Sequence, residues 1–407
     1  MVVPAVRRLA VLSFHTSPLA QPGAGDGGGM NVYVRQLSSA LARAGVDCDL
    51  YTRAWRRGLA PTVEAEPGVR VHHVRAGPLA SVAREALPDL VEEFTQGVGR
   101  RLEHHRPDLL HANYWLSGVA GHALKHRLEL PLVSTFHTLS RVKAEGSAGE
   151  EVRRARAEAE VIGCSDAILA SSVDERAQLE RLYGADPARI EVVPPGVDHE
   201  VFRPGDRAAA RARLGLDPGP LLLFVGRIQP LKGADVAVQA VAALGAPAAL
   251  VVVGGPSGPE GHAEFRRVRA LAGGLGLDGR VRFVPPQPHE QLADWYRAAD
   301  LCLVPSRSES FGLVALEAAA CGTPVVAANV GGLGTLVDHG TTGYLVEGRN
   351  PAAFAAHART LLDDPDLAAS VGRAAAARAA GYCWSITAAR LRRLYSDLTD
   401  RSLVECR

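Results

Sequence analysis

The chain has 407 residues, with 45 Lys and Arg against 44 Asp and Glu, for a formal charge of +1. Hydrophobic residues make up 47% and charged residues 22%, a globular composition that supports about two or three domains. Balanced charge argues against a general nucleic-acid or membrane-surface binder, and the dispersed 42 glycines and 26 prolines exclude a collagen-like or low-complexity chain. The leading run Leu9–Phe14 reads as a strand, and Ser13 and His15 break it too early for a signal peptide. A Gly-rich loop follows. Val34, Leu37, Leu41 and Ala44 then share one helical face, with Gly45 as its C-cap. Further buried strands are expected at Val71–Val74, Leu109–His111, Leu132–Phe136, Ala167–Ala170 and Ile190–Val193. Pro194-Pro195-Gly196, Pro204-Gly205 and Pro218-Gly219 mark a break. The alternation restarts at Leu221–Val225, Ala249–Val253, Val281–Val284, Leu301–Val304 and Val325–Ala327. Pro351 to about Leu398 is Ala/Arg-rich and helical.

Two such α/β series imply two doubly wound parallel sheets. The expected division is 1–200, 201–380 and a last helical segment, 381–407, packed back on the first domain. Ligands of such folds bind beyond the carboxyl ends of the strands, and a cleft between the two domains is the default site. No apolar run reaches the length of a membrane span. Cys48, Cys164, Cys302, Cys321, Cys383 and Cys406 form no C-x-x-C pair, so reduced thiols in a cytoplasmic protein are expected.

Gly23-Ala24-Gly25-Asp26-Gly27-Gly28 matches G-x-G-x-x-G, which opens an NAD-dependent oxidoreductase reading. The motif stands too far beyond Phe14 for the tight strand–turn–helix that a dinucleotide needs. A loop whose last glycines, Gly28 and Gly29, open a helix toward an anion fits better, with a plain surface loop as the bland alternative. Gly226-Arg227-Ile228-Gln229-Pro230-Leu231-Lys232-Gly233 places two cations at a strand end, suited to a diphosphate or simply solvated. Glu309-Ser310-Phe311-Gly312-Leu313-Val314-Ala315-Leu316-Glu317 sets one carboxylate before a helix and one inside it. The N–H groups of 310 to 313 are then aimed at a phosphate. His137 ends a strand, where it could meet a ligand hydroxyl or serve as a structural hydrogen-bonder. His72, His73, His104 and His105 show no metal-ligand pattern. Asp47-Cys48-Asp49, near the start of a strand and away from the carboxyl ends, and Asp364-Pro365-Asp366, in a helix–helix turn, are D-x-D triplets read as structural rather than metal-binding. No metal site is expected.

Together these blocks resemble the retaining glycosyltransferases of family GT4, over nearly the whole chain. The specific signals are Gly226-Arg227, Lys232-Gly233 and the pair Glu309 and Glu317. The resemblance implies a GT-B fold: two Rossmann-like domains facing a central cleft. Within the family, the chain resembles the branch that glycosylates inositol phosphate. It does so through His15-Thr16-Ser17-Pro18-Leu19, Gly25-Asp26, Gly28-Gly29-Met30-Asn31-Val32-Tyr33, Tyr114-Trp115-Leu116-Ser117-Gly118, His137-Thr138 and Gly254-Gly255-Pro256-Ser257-Gly258-Pro259. This implies transfer of N-acetylglucosamine from UDP-GlcNAc to 1D-myo-inositol 3-phosphate, the first step of mycothiol biosynthesis. A related transferase acting from another NDP-hexose on another small acceptor is the alternative.

By resemblance, Arg227 and Lys232 neutralise the donor diphosphate and Glu317 binds the ribose. Gly29, Glu309, Phe311, Gly312 and Leu313 hold the donor sugar and phosphate, and His137 touches the sugar. Arg227, Lys232, His137 and Glu309 are thus the implied catalytic set. His15, Asn31, Arg84, Tyr114, Thr138 and Arg154 are the implied acceptor set, with Arg153 the competing register for Arg154. No cofactor is implied, and magnesium is compatible with the substrate without a catalytic role. A homodimer is implied, with no nucleic-acid partner and no membrane insertion. Three departures fall on the acceptor side. Arginine stands at 84 where lysine is usual, His111-Ala112-Asn113 replaces His-Ser-His, and the loop at Glu145–Glu150 is short.

Overall fold

The computed structural model describes residues 6–23, 25, 27–144, 151–245, 247–258 and 260–406. Asp26 and the loop Glu145–Glu150 lie outside the described residues. The chain forms two compact units. The first comprises 1–20, 30–194 and 384–407, and the second comprises 21–29 and 195–383. Against a division at 200 and 380, the short segment Gln21–Gly29 therefore belongs with the second unit, and the last helix, Trp384–Thr399, with the first.

The first unit carries β1 (Arg8–Leu12), β2 (Asp47–Arg53), β3 (Thr62–Glu66), β4 (Val69–Val74), β5 (Leu109–Asn113), β6 (Leu132–Thr135), β7 (Ala167–Ala170) and β8 (Ile190–Val192). Their order is β3-β4-β2-β1-β5-β6-β7-β8, parallel except for the antiparallel edge pair β3–β4. The second unit carries β9 (Leu221–Val225), β10 (Ala249–Val253), β11 (Val281–Val284), β12 (Leu301–Val304), β13 (Val325–Ala328) and β14 (Gly343–Val346), ordered β11-β10-β9-β12-β13-β14 and all parallel. Each order runs outward one way from the first strand and then reverses, which makes a topological switch point. It falls between β1 and β5 in the first unit and between β9 and β12 in the second.

The apolar runs follow from cover on both faces. In β1, Ala10 and Leu12 enter one core while Leu9 and Val11 enter the other. In β9, Leu221 and Leu223 alternate in the same way with Leu222 and Phe224. The last helix adds Trp384, Ala388, Leu391, Tyr395 and Leu398 to the core containing Leu9 and Val11, a spacing that keeps one helical face inward.

The helical stretch after Pro351 resolves into Pro351–Asp363, Pro365–Ala379 and Trp384–Thr399. Asp364 caps the second of these by accepting from Leu367 N–H at 2.9 Å, and so is structural. Asp49 is structural too. Burial pushes its pKa up, but His72 and Arg70 outweigh this and hold it well below the usual carboxylate range. Cys48, Cys302 and Cys321 are buried free thiols, and Cys383 is half-buried. Cys164 and Cys406 come together at one place, sulfur against sulfur, with Cα atoms 4.7 Å apart. Their 242-residue separation hides this from any local motif. Among the described residues, no helix is long and apolar enough to cross a membrane.

Candidate active site

Both clusters of expected site residues lie at the switch points. In the first unit, His15 follows β1, Tyr114 follows β5, and His137 and Thr138 follow β6. Tyr114 has φ 74° and ψ 155°, a region that is otherwise almost exclusive to glycine. His137 also has positive φ, at 61°. Such backbone costs about 1–3 kcal/mol per residue and persists only where packing imposes it. Here it turns two side chains off the strand ends.

The Tyr114 phenol is the meeting point. Arg84 donates to its hydroxyl, and the guanidinium lies 5.8 Å from the ring centre. The Arg154 guanidinium lies 5.0 Å from the same ring. His15 packs against it at 4.3 Å between centroids. Arg154 is buried and donates from Nη2 to Thr138 O at 2.7 Å and to Thr138 Oγ1 at 3.0 Å. Arg84, Tyr114, Thr138 and Arg154, widely spaced in sequence, thus form one basic cluster. Arg153 does not join it; it is exposed and pairs with Asp89 at 3.0 Å.

Glu158 orients the cluster from behind. Its fully buried carboxylate accepts from Arg154 Nε at 2.7 Å, from Ser140 N–H at 2.9 Å and from Tyr183 OH. The i,i+4 spacing to Arg154 was its only sequence signal. Asn31 is buried, and its amide donates to Thr16 Oγ1 at 2.9 Å and Ser17 O at 2.6 Å, which ties it to the loop after β1. His137 donates from Nε2 to Asn113 Oδ1 at 2.9 Å. Desolvation and the nearby His111 push its pKa down to about 3, so it is a neutral imidazole at pH 7. Of the departing segment 111–113, His111 and Ala112 face the core. His111 bonds Thr135 at 2.8 Å and Tyr395 at 2.8 Å. Asn113 hydrogen-bonds a candidate residue, His137.

In the second unit, Arg227 and Lys232 follow β9, and Glu309 follows β12. The ends of β9 and β10 nearly touch. A Cβ on Gly254 would fall 1.9 Å from Gly226 O, so glycine is required there, and the close approach fixes where Arg227 leaves the strand. Arg227 reaches Ser257 Oγ at 3.4 Å and packs beside Gly28, where a Cβ would lie 3.1 Å from its Nε. Gly29 opens its helix beside Leu313. Lys232 pairs with Glu309, whose Oε1 also accepts from Ser306 Oγ at 3.0 Å.

Gly312, at φ 101°, caps the helix Leu313–Ala320, whose first N–H groups lack intrahelical acceptors. Phe311 is buried beneath it. Glu317 lies in that helix, buried, accepting from His289 Nε2 at 2.7 Å and Tyr296 OH at 2.8 Å. His289 and Tyr296 had no sequence signal. Burial disfavours the His289 imidazolium, but Glu317 outweighs this and raises its pKa. The second unit therefore offers two cations and a helix N-terminus for a diphosphate. A prearranged carboxylate, each oxygen already accepting one hydrogen bond, is available for hydroxyl groups.

The G-x-G-x-x-G segment does not open a dinucleotide turn: Gly23 N–H bonds Gly27 O at 2.9 Å in a local loop.

Residues 206–378 match the family model described as glycosyl transferases group 1, and residues 27–201 match that of glycosyltransferase family 4. D-inositol 3-phosphate glycosyltransferase of Thermobispora bispora is 48% identical over 97% of this chain and 96% of its own. D-inositol 3-phosphate glycosyltransferase 2 of Catenulispora acidiphila is 49% identical over 96% and 95%. Among solved structures, sucrose-phosphate synthase of Thermosynechococcus elongatus superposes with a TM-score of 0.91 at 35% identity, covering 97% of this chain and 99% of that one. Anabaena Alr3699/HepE, solved with UDP and glucose, shares the fold at a TM-score of 0.79 and 21% identity, covering 96% of this chain and 100% of that one. The chain belongs to the GT-B glycosyltransferases of family GT4, alongside relatives named D-inositol 3-phosphate glycosyltransferase.

Proposed function

We propose that this enzyme moves N-acetylglucosamine from UDP-GlcNAc to 1D-myo-inositol 3-phosphate with retention at the anomeric carbon, as the first step of mycothiol biosynthesis. The observation that carries the acceptor is the cluster of Arg84 and Arg154 on Tyr114, with Thr138 beside it. Two guanidiniums and two hydroxyls match the acceptors of a phosphate monoester. The names carried by half-identical relatives support the same acceptor.

On the donor side, Arg227 and Lys232 stabilise charge growing on the leaving diphosphate, together with the N–H groups at Leu313. Glu317 takes the ribose hydroxyls. Glu309, held by Lys232 and Ser306, orients the sugar. The acceptor oxygen attacks from the face that UDP leaves. The acceptor proton passes to a β-phosphate oxygen as the sugar–phosphate bond breaks. Neutral His137 offers a sugar hydroxyl a hydrogen-bond partner without competing for that proton. The same reading carries a cytoplasmic location, a homodimer checked by light scattering, and turnover without a metal.

The test is UDP release from UDP-GlcNAc with 1D-myo-inositol 3-phosphate or with unphosphorylated inositol. A charge-assisted hydrogen bond contributes about 1.5–3 kcal/mol, so each one lost costs about ten- to a hundredfold in kcat/KM. Equal use of both acceptors refutes the phosphate pocket. Preference for UDP-glucose over UDP-GlcNAc refutes the donor assignment and leaves the pocket standing.

A further inference from the structure

In the first unit, away from the strand ends, four metal-capable side chains converge. His122 and His126 stand four residues apart on the helix Trp115–Leu128, with ring centroids 5.0 Å apart. Cys164 is the last residue of the helix Val152–Cys164. Cys406 lies in the irregular segment after the last helix. All four donor atoms lie within 4.8 Å of one another. Cys406 Sγ is 3.0 Å from His126 Nε2 and 3.4 Å from His122 Nε2.

We propose that His122, His126, Cys164 and Cys406 form a tetrahedral zinc site that fastens the tail segment to two helices of the first unit. Zinc–sulfur bonds of about 2.3 Å and zinc–nitrogen bonds of about 2.0–2.1 Å place tetrahedral donors about 3.3–3.8 Å apart. The nitrogen–sulfur spacings of 3.4 and 3.0 Å lie within and just below that range, and the two sulfurs are drawn together more closely than a bound ion would leave them. Two thiolates with two imidazoles form a closed structural zinc set, without the open position that a catalytic zinc keeps.

An independent anchor brings the tail there. Val404 N–H donates to Asp166 Oδ1 at 2.7 Å. Asp166 also accepts from Lys125 Nζ at 2.9 Å and from Leu132 N–H at 2.7 Å. Lys125 Nζ donates to Cys164 O at 2.8 Å and so holds the helix end that presents the Cys164 sulfur.

A disulfide between the two cysteines makes a different demand. It removes two electrons and two protons from the thiols, and it assigns the imidazoles no bond. Zinc displaces two protons, removes no electrons and uses all four side chains. The test is metal analysis and thiol titration on the full chain, purified without chelator. The expected result is about one zinc per chain. After denaturation in chelator, all 6 cysteines should titrate. Cobalt(II) put in place of zinc should show the strong visible bands of a tetrahedral thiolate site. His122→Ala with His126→Ala, and separately Cys406→Ser, should each abolish metal retention while UDP release persists. A metal-free chain in which only Cys48, Cys302, Cys321 and Cys383 titrate overturns the proposal in favour of the disulfide. So does zinc that survives either variant. If a variant fails to fold, the cobalt spectrum of the parent chain decides.

Discussion

Replacing Lys232 with Met separates catalysis from folding. The side chain keeps most of its stem and loses only the ammonium. In the structure that ammonium pairs with Glu309, and the two side chains are 25% and 17% exposed. A pair this open to water contributes about 1 kcal/mol or less. Glu309 also keeps the Ser306 hydroxyl, so no buried carboxylate is stranded. The stability change should therefore be at most about 1 kcal/mol. Loss of one cation from the leaving diphosphate should raise the barrier by about 3–4 kcal/mol, or about 100- to 1,000-fold in kcat. Lys232→Arg should recover part of that, since it restores charge with a different reach. UDP release gives kcat, and thermal unfolding of the same samples gives stability. A folded Lys232→Met enzyme within about tenfold of the parent kcat would show that this ammonium does not meet the leaving group.

Arg84→Ala should raise the acceptor KM by about ten- to a hundredfold and leave donor KM unchanged, measured in the same release assay. Arg154→Lys keeps a positive charge but cannot span Glu158 and Thr138 with one planar fork, so acceptor KM should rise without a change in net charge. Titration of acceptor against saturating donor checks this. The raised pKa of His289 means that its pairing with Glu317 adds stability fully below about pH 6.5 and loses it as pH climbs through the folded value. Thermal unfolding should show a stability loss as pH rises above about 6.5 that His289→Gln flattens. Asp49 has the opposite sign. Its depressed pKa gives stability that is present above about pH 4 and lost as pH falls further, so Asp49→Asn should be destabilising at neutral pH and lose that deficit in acid.

The sequence exposed what is buried on both faces and blurred what is not. Leu221–Val225, Ala249–Val253, Val281–Val284 and Leu301–Val304 stand at the bounds read from continuous apolar runs. The strands given no bounds from sequence are those whose pattern is interrupted. Asp47–Arg53 carries Asp49 inside the sheet because Arg70 and His72 of the neighbouring strand neutralise it, a pairing that no single run reveals. Thr62–Glu66 is an antiparallel edge with little burial, and Gly343–Val346 opens on a glycine and leaves Tyr344 and Leu345 only half-buried. Strand-end residues such as Arg227, Glu309 and His137 were legible because parallel sheets present their carboxyl ends to ligands. Their partners were not. His289 and Tyr296 reach Glu317 from the turn and helix before β12, and Tyr183 reaches Glu158 from another helix. A carboxylate in a helix interior announces itself by type and spacing, whereas the groups that set its charge and direction arrive by tertiary contact. Arg154 shows both sides of this. Its distance from Glu158 along one helix was readable, and it picks Arg154 over Arg153 because only the i,i+4 partner is fully buried. The phenol it packs on comes from a strand end whose backbone is strained, and strain leaves no trace in residue type.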